Sequence, residues 1–307
     1  MKITHWIQIL PILAGVFWGS IGIFVRELSS MGMNSISIVE TRISIAIIII
    51  VIGLLILNKK LLYIKLTDAW IFICSGLFSM MGLNLCYNFA ITELTLSLAA
   101  ILLSLAPIFV LILARFCFRE KLTWQKIICA LLVLIGCILS SGIFETVGSV
   151  RWTVLGILIG TLSAFFYGTY GIFSKFAMLR GYHSFTITVY SLAFVGIALL
   201  PFTDWTFIFN LIHKDPIHIS TLLFLQSLFT SVFPYIFFTV ALNYVEAGKV
   251  IILASGEPLA ALLFGMYFYN EIPTVLSLLG LCLVLFALGL LAIPFNNLNK
   301  FFRQSNI

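Results

Sequence analysis

The sequence predicts an all-α membrane protein with ten transmembrane helices. Of its 307 residues, 62% are hydrophobic and only 9% are charged, and the mean hydropathy is +1.18. A soluble domain has about 25% charged residues, so this chain has too few to cover a water-facing surface. Its apolar runs are longer and more uniform than the alternating strands of a membrane β-barrel, so helices are favoured.

Ten apolar runs are long enough to cross the hydrocarbon core, which takes roughly 20 helical residues. They lie near 7–25, 36–57, 70–91, 95–115, 124–142, 153–173, 184–203, 219–242, 247–269 and 273–294. The first run follows a single lysine, Lys2, and lacks a small-residue cleavage site, so we expect a retained helix rather than a signal peptide. The short joints between runs predict a compact bundle.

The distribution of lysine and arginine predicts that both termini face the cytoplasm. With this orientation, thirteen of the basic residues fall in inner segments, three fall in outer segments, and Arg42 lies within the second span. The outer ones are Arg26, Arg151 and Lys214. Positive residues are concentrated in cytoplasmic loops, so this bias supports an even number of spans in a cytoplasmic membrane.

An internal repeat divides the chain into two halves, 1–147 and 148–307. WGSIGIFVR at 18–26 matches YGTYGIFSK at 167–175, and SLAPIFVLILARFCFRE at 104–120 matches SGEPLAALLFGMYFYNE at 255–271. Each half has five spans, and an odd number forces the halves into opposite orientations. The prediction is therefore two five-helix inverted repeats, an arrangement found in transporters whose substrate site lies at the midplane.

These motifs resemble those of the drug/metabolite transporter superfamily, in its EamA-type branch. The resemblance covers essentially the whole chain. Its pieces are Trp18-Gly19, Arg42, SLAP at 104–107 with Glu120, and GEP at 256–258 with Glu271. It implies a ten-helix bundle that moves small organic solutes, often outward; amino acids, nucleobases, sugars and drugs are all substrates in the family.

Glu257 is the first candidate for substrate binding or coupling, because it lies near the middle of the ninth span. An ionisable group there costs at least ~2.5 kcal/mol on insertion scales and is a functional candidate. The next residue, Pro258, leaves the carbonyl of Ala254 without its helical donor. Glu257 can carry a proton or bind a cation; a structural hydrogen bond to a neighbouring helix is the alternative. The first half has Ala106 at the matching position.

Arg42 and Glu40 are further candidates in the second span. Two residues apart on a helix is about 200°, so they point to nearly opposite faces. We expect one to line a cavity and the other to reach the outer interface. Arg42, the deeper, can bind a carboxylate or phosphate, or it can pair with Glu257.

Polar and aromatic side chains complete the set of candidate cavity residues. Asn84, Tyr87 and Asn88 share one face of the third span by their i, i+3, i+4 spacing. They can line the cavity or bond between helices. The aromatic candidates are Trp18, Tyr167, Tyr170 and Tyr235. They suit a planar or partly apolar ligand, although packing or interfacial anchoring explains any one of them.

Other polar residues are assigned to helix ends. Pro107 and Pro258 are predicted helix kinks. Lys249 is expected to form an ion pair with Glu246 at the inner interface, and Glu120 and Glu271 to tie helix ends to their neighbours or to act as gates. Whether these last three are functional or structural stays open.

Several classes of function are excluded. The six cysteines form no CxxC pair and have no histidine at ligand spacing, so neither a metal site nor a cofactor is expected. The four histidines lie outside or at the ends of spans, which argues against an enzyme. No Walker-type motif is present to use ATP, and no basic cluster with interleaved aromatics suggests nucleic-acid binding.

The sequence therefore predicts a secondary transporter for a small organic metabolite or drug. An amino acid or a related compound is among the candidate substrates. The alternative is a passive channel or facilitator without coupling, which would lack saturable exchange. The expected partners are the lipid bilayer, a small-molecule substrate and, where transport is coupled, protons. The protein can be a monomer or a homodimer; the substrate, direction and coupling ion stay open.

Overall fold

The computed structural model describes residues 7–94, 96–141, 143–144, 153–270 and 272–292. Within these residues all regular structure is helical. The all-helical prediction is therefore confirmed for the part of the chain that the structure covers. We number the helical segments α1 to α11 and include the shorter helices into which some of them are divided.

The first five segments form the N-terminal half. Their bounds are Ile9–Gly19 with Ile21–Ser30 (α1), Ser35–Leu57 (α2), Ala69–Ile73, Cys74–Met81 and Gly82–Glu93 (α3), Leu96–Leu103 with Ala106–Phe118 (α4), and Trp124–Ser140 (α5). Two short 3₁₀ turns, Lys59–Leu62 and Leu66–Asp68, connect α2 to α3.

The second half adds one helix to the same sequence of elements. Its bounds are Val154–Leu179 (α6), Ser184–Leu199 (α7), Trp205–Lys214 (α8), Pro216–Ser227, Leu228–Val232 and Phe233–Tyr244 (α9), Ala247–Ala254 with Glu257–Tyr269 (α10), and Val275–Ala292 (α11). The 3₁₀ turn Leu200–Phe202 ends α7.

Nine of the helical segments in the described residues are long and apolar enough to cross a membrane. Helix α5 is also apolar but has 17 residues. Helix α8 has only 10 residues. The protein is therefore a multi-pass helical membrane protein. The count of ten spans and the cytoplasmic placement of the termini stay predictions.

Local chemistry explains where several helices begin. Asn34 Oδ1 accepts a hydrogen bond from the Ser37 amide at 2.8 Å at the start of α2. Thr153 Oγ1 accepts one from Gly156 at 3.0 Å at the start of α6. Such caps satisfy amides that have no partner within the helix.

Matching positions in the two halves have the same irregularities. The π-helical segment of α3 ends at Met81, and that of α9 ends at Val232, which is 151 residues further along the chain. Helices α4 and α10 are interrupted in the middle and end in left-handed residues, Arg119 with φ 55° and Asn270 with φ 50°. A π-helical turn has an extra residue and often marks a functional site.

The predicted kinks at Pro107 and Pro258 are complete interruptions of the helix. In each case the first helix ends before the proline, which lies in the first turn of the second helix. Proline is suited to that position because its missing N–H would have no helical acceptor there. Ser255 Oγ donates to the carbonyl of Ile251 at 2.8 Å, which occupies one acceptor just before the interruption.

The packing between the two halves is reciprocal, because corresponding helices make corresponding contacts. Helix α1 packs against α9 and α10, and α6 packs against α3 and α4. Helix α2 packs against α7, and α5 packs against α11. Glu120 and Asp68 form ion pairs with Lys126, Lys175 and Arg180 at one end of the bundle. We call this the basic end; the other is the opposite end.

The α5–α11 contact depends on two facing glycines. A Cβ added to Gly280 would lie 2.5 Å from the Gly136 carbonyl oxygen and 2.8 Å from the Ser140 amide nitrogen. A Cβ added to Gly136 would lie 2.6 Å from Val284 Cγ2. The backbones approach closely because neither position has a side chain, as in other membrane helix pairs.

We expect Gly280→Ala to destabilise the protein by roughly 1–3 kcal/mol, because the backbone of α5 would have to move. Gly289→Ala, on the same helix, is the control because a Cβ there meets nothing within 4 Å. The measurement is thermal unfolding in detergent. Equal melting temperatures for the two variants would contradict this account of the α5–α11 contact.

Candidate functional site

A cavity of about 470 Å³ lies at the centre of the bundle. Helices α1, α2, α3, α4, α6, α9 and α10 contribute side chains to it. It reaches from the middle of the bundle toward the opposite end, where Val25, Ser35 and Ile91 line it. Its volume is within the range of roughly 300–1,000 Å³ that is typical of small-molecule sites.

Nine of the ten candidate residues predicted from the sequence line this cavity. They are Trp18, Arg42, Asn84, Tyr87, Asn88, Tyr167, Tyr170, Tyr235 and Glu257. The structure thus brings together residues from six helices that are far apart in the sequence. What each one does in the cavity stays a prediction.

Arg42 and Glu257 give the cavity one cationic and one acidic side chain. No ion pair within 4.0 Å joins them in the described part of the chain. Arg42 Nε is buried and has no hydrogen-bond partner there. A buried donor without an acceptor costs roughly 1–3 kcal/mol, so a ligand that supplies an acceptor would be favoured.

The aromatic residues form one connected wall. The Trp18 ring lies edge-on to Tyr235 and Tyr167, with centroids 5.3 and 6.1 Å apart. The Tyr170 and Tyr235 centroids are 5.5 Å apart, also edge-on. Behind them, Phe238 is 5.6 Å from Trp18. These contacts hold the rings in place and present an apolar surface with phenol groups, which suits a planar or partly apolar ligand.

Helix α3 supplies more polar residues to the cavity than any other helix. Asn84 Nδ2 donates to the Met80 carbonyl at 2.7 Å, so its amide oxygen remains as an acceptor. Ser79, Met80 and Leu83 also line the cavity and were not among the sequence candidates. Ser79 and Met80 lie within the π-helical segment, and Leu83 follows it. The extra residue of this segment changes which side chains of α3 face the cavity. A regular helical period does not predict that change.

Glu40 does not line the cavity. Its side chain is fully buried, and Ser44 Oγ donates to its Oε1 at 2.6 Å. A Cβ added to Gly196 of α7 would lie 3.7 Å from the same oxygen. The opposite faces predicted for Glu40 and Arg42 agree with this geometry. The expected contact of one of them with the outer interface is wrong, because Glu40 packs against α7.

Glu120 and Glu246 form their contacts at the basic end. Glu120 accepts hydrogen bonds from Lys175 and from the backbone of α10. Glu246, the expected partner of Lys249, instead forms an ion pair with Lys126. Glu271 lies outside the described residues.

A second set of polar contacts surrounds the α6–α7 connection at the same end. Asp68 pairs with Arg180 and accepts a hydrogen bond from Tyr182 Oη at 2.7 Å. Desolvation by burial raises the pKa of Tyr182, so the phenol stays protonated and remains a donor.

A helical membrane protein with a polar cavity in its centre has the architecture of a solute transporter. The model of the EamA-like transporter family matches residues 5–142 and, a second time, residues 154–293. The chain therefore belongs to the EamA-like transporter family. The resemblance found from the motifs is confirmed.

Curated relatives agree with this assignment, and a solved structure shares the fold. An uncharacterized transporter of Archaeoglobus fulgidus is 26% identical over 277 residues, which cover 89% of this chain and 94% of the relative. One of Haemophilus influenzae is 25% identical over 256 residues, 82% of this chain and 81% of the relative. A crystal structure of another protein has a TM-score of 0.76 at 14% identity, covers 92% of this chain and 95% of that chain, and shows the fold alone.

The protein is thus a multi-pass membrane transporter for a small molecule, and its family and relatives are transporters rather than enzymes.

Gly22 permits a direct test of the cavity as a binding site. It lines the cavity, and a Cβ added to it meets nothing within 4 Å. We expect Gly22→Leu to keep the melting temperature and to lose ligand binding or transport, because the new side chain occupies cavity space. Gly53→Leu is the control, since Gly53 is equally free of neighbours and is not part of the cavity lining. Normal binding by Gly22→Leu would place the ligand elsewhere.

Proposed function

We propose that this protein is a secondary transporter that moves a small organic metabolite or drug across the cytoplasmic membrane by alternating access. The single observation that carries the proposal is the central cavity, which extends toward the opposite end and combines an aromatic wall with Arg42 and Glu257, two charged groups that form no ion pair within the described residues. A passive channel would need a path to both ends, so the channel is the second candidate.

We infer that the two halves are inverted five-helix repeats. The matching π-helical segments, the matching interruptions of α4 and α10, and the reciprocal packing of α1 and α6 support this organisation. In transporters built in this way, the halves exchange conformations around a fixed central site. A cavity open to one end is then one of two related states.

The substrate is proposed to touch both Arg42 and Glu257. These groups line one cavity without forming a close ion pair, so a solute with an anionic and a cationic group could satisfy both. The tyrosines and Trp18 would contact an apolar or planar part of that solute. An amino acid or a related zwitterion has this combination, whereas a sugar would leave both charges without counter-charges.

A thermal-shift panel of amino acids, nucleosides, sugars and cationic drugs tests this substrate proposal. Ligands that bind the folded state raise the melting temperature by mass action. We expect zwitterions to stabilise the wild type, to lose this effect in Arg42→Gln and to keep a smaller effect in Glu257→Gln, whose amide oxygen still accepts hydrogen bonds. Glu93→Gln is the control. The Glu93 carboxylate lies outside the cavity and accepts a hydrogen bond from Thr153 Oγ1 at 3.1 Å, so this variant should respond as the wild type does. Hits among sugars alone would contradict the role of the two charges.

Glu257 is also proposed to carry the coupling proton, because it is the acidic group of the cavity. In proteoliposomes, we expect an imposed pH gradient to change the initial transport rate of the wild type several-fold. Glu257→Gln should keep substrate exchange at equal pH and lose the response to the gradient, because an amide cannot release a proton. A variant that responds like the wild type would remove Glu257 from coupling.

A further inference from the structure

One carboxylate at the basic end joins several helices from both halves of the chain. Glu120 follows α4, and its Oε1 accepts hydrogen bonds from Lys175 Nζ at 3.1 Å and from the Ala247 amide at 2.8 Å. Its Oε2 accepts from the Gly248 amide at 3.3 Å and lies 3.8 Å from Lys126 Nζ. Two lysines and the N-terminus of α10 therefore converge on a single side chain.

The two lysines extend this network to the α9–α10 connection. Lys175 Nζ also donates to the Val245 carbonyl at 3.3 Å. Lys126 pairs with Glu246 and donates to the Lys121 carbonyl at 3.1 Å. We call this set the Glu120 latch; its side chains are those of Glu120, Lys126, Lys175 and Glu246.

Three of the four latch side chains are buried, which distinguishes them from an ordinary surface ion pair; Glu246 is 50% exposed. The side chains of Glu120, Lys126 and Lys175 are 8%, 6% and 18% exposed. Buried charges that keep all their partners can hold a specific geometry, but the loss of one partner leaves an uncompensated charge. The nearby Arg180–Asp68 pair is more accessible, with Arg180 46% exposed, and should contribute less.

The position of the latch relates it to the cavity. The cavity extends to the opposite end, whereas the latch lies at the basic end. Between them, Tyr170 and Phe238 are nearly fully buried. A Cβ added to Gly248, beside Glu120, would lie 2.6 Å from Leu111 Cδ2 of α4. Both halves therefore contribute packed residues between the cavity and the basic end.

We propose that the Glu120 latch is the gate that holds the protein in the state with its cavity open to the opposite end. Release of Glu120 from Lys175 and from the α10 amides lets α10 and α6 move away from α4 and α5, which opens the cavity to the basic end. This inference rests on the proposed alternating access.

Native cysteines report the opening of this gate. Cys129 of α5 is fully buried, and α5 packs against the first part of α10. Cys137 is also buried and lies about 12 Å further along the same helix. Cys117, near the latch, is exposed and serves as the labelling reference. Peptide mass spectrometry after reaction with a water-soluble maleimide in detergent resolves the three sites.

We expect Glu120→Gln and Lys175→Met each to raise the labelling rate of Cys129 about tenfold, the effect of a modest shift between two states. Glu93→Gln, a matched substitution outside the latch, should leave that rate unchanged. Cys137 should stay protected in all variants, because general unfolding would expose it together with Cys129.

Unchanged Cys129 labelling in both latch variants would overturn the gate, and so would equal increases at Cys129 and Cys137. If Glu120→Gln does not fold, Lys175→Met decides alone. The labelling needs no substrate, so its outcome is independent of the ligand panel. Ligand binding with an unresponsive Cys129 refutes the gate alone, whereas a responsive Cys129 without ligand binding or transport refutes the proposed function.

Discussion

Lipid offers the peptide backbone no hydrogen-bond partners, so protein must cover every interruption of a transmembrane helix. In α10 that cover comes from α1. A Cβ added to Gly15 would lie 2.4 Å from the Ala254 carbonyl oxygen, and one added to Gly19 would lie 2.7 Å from the Glu257 carbonyl oxygen. Only glycines allow this approach. The contact fixes the level at which Glu257 begins the second half of α10, and therefore the place of the carboxylate in the cavity.

In the proposed repeat, the scaffold positions of the two halves match, but the charges of the cavity do not. Ser227 Oγ of α9 donates to the Arg42 carbonyl at 2.8 Å, and at the matching place a Cβ added to Gly76 of α3 would lie 2.6 Å from the Ser191 carbonyl oxygen. Arg42 thus corresponds to Ser191, just as Glu257 corresponds to Ala106. Packing alone does not require these charges, because the matching residue in the other half is uncharged in both cases. Their presence at one place is better explained by a ligand.

Helical spacing predicted the polar face of α3 well, because Asn84, Tyr87 and Asn88 lie in a regular helix. It could not predict Ser79, since the π-helical segment before Gly82 changes the rotation of the face. The sequence also placed Glu40 and Arg42 on opposite faces but could not tell which neighbour covers each face. The partner of Glu246 was missed for the same reason: Lys126 is distant in sequence and is brought close only by the packing of α5 near α10.

Binding of a substrate in the cavity has to offset the free energy that is lost when the latch opens. The latch satisfies its buried charges between the halves, while Arg42 Nε has no hydrogen-bond partner within the described residues. A ligand can shift a conformational equilibrium only by the difference between its affinities for the two states. A zwitterion that contacts Arg42 on α2 and Glu257 on α10 connects the same two halves that the latch connects. It would therefore shift the conformational equilibrium most if both of its contacts shorten as the cavity closes. The binding free energy gained in that way offsets the cost of separating Glu120 from its lysines.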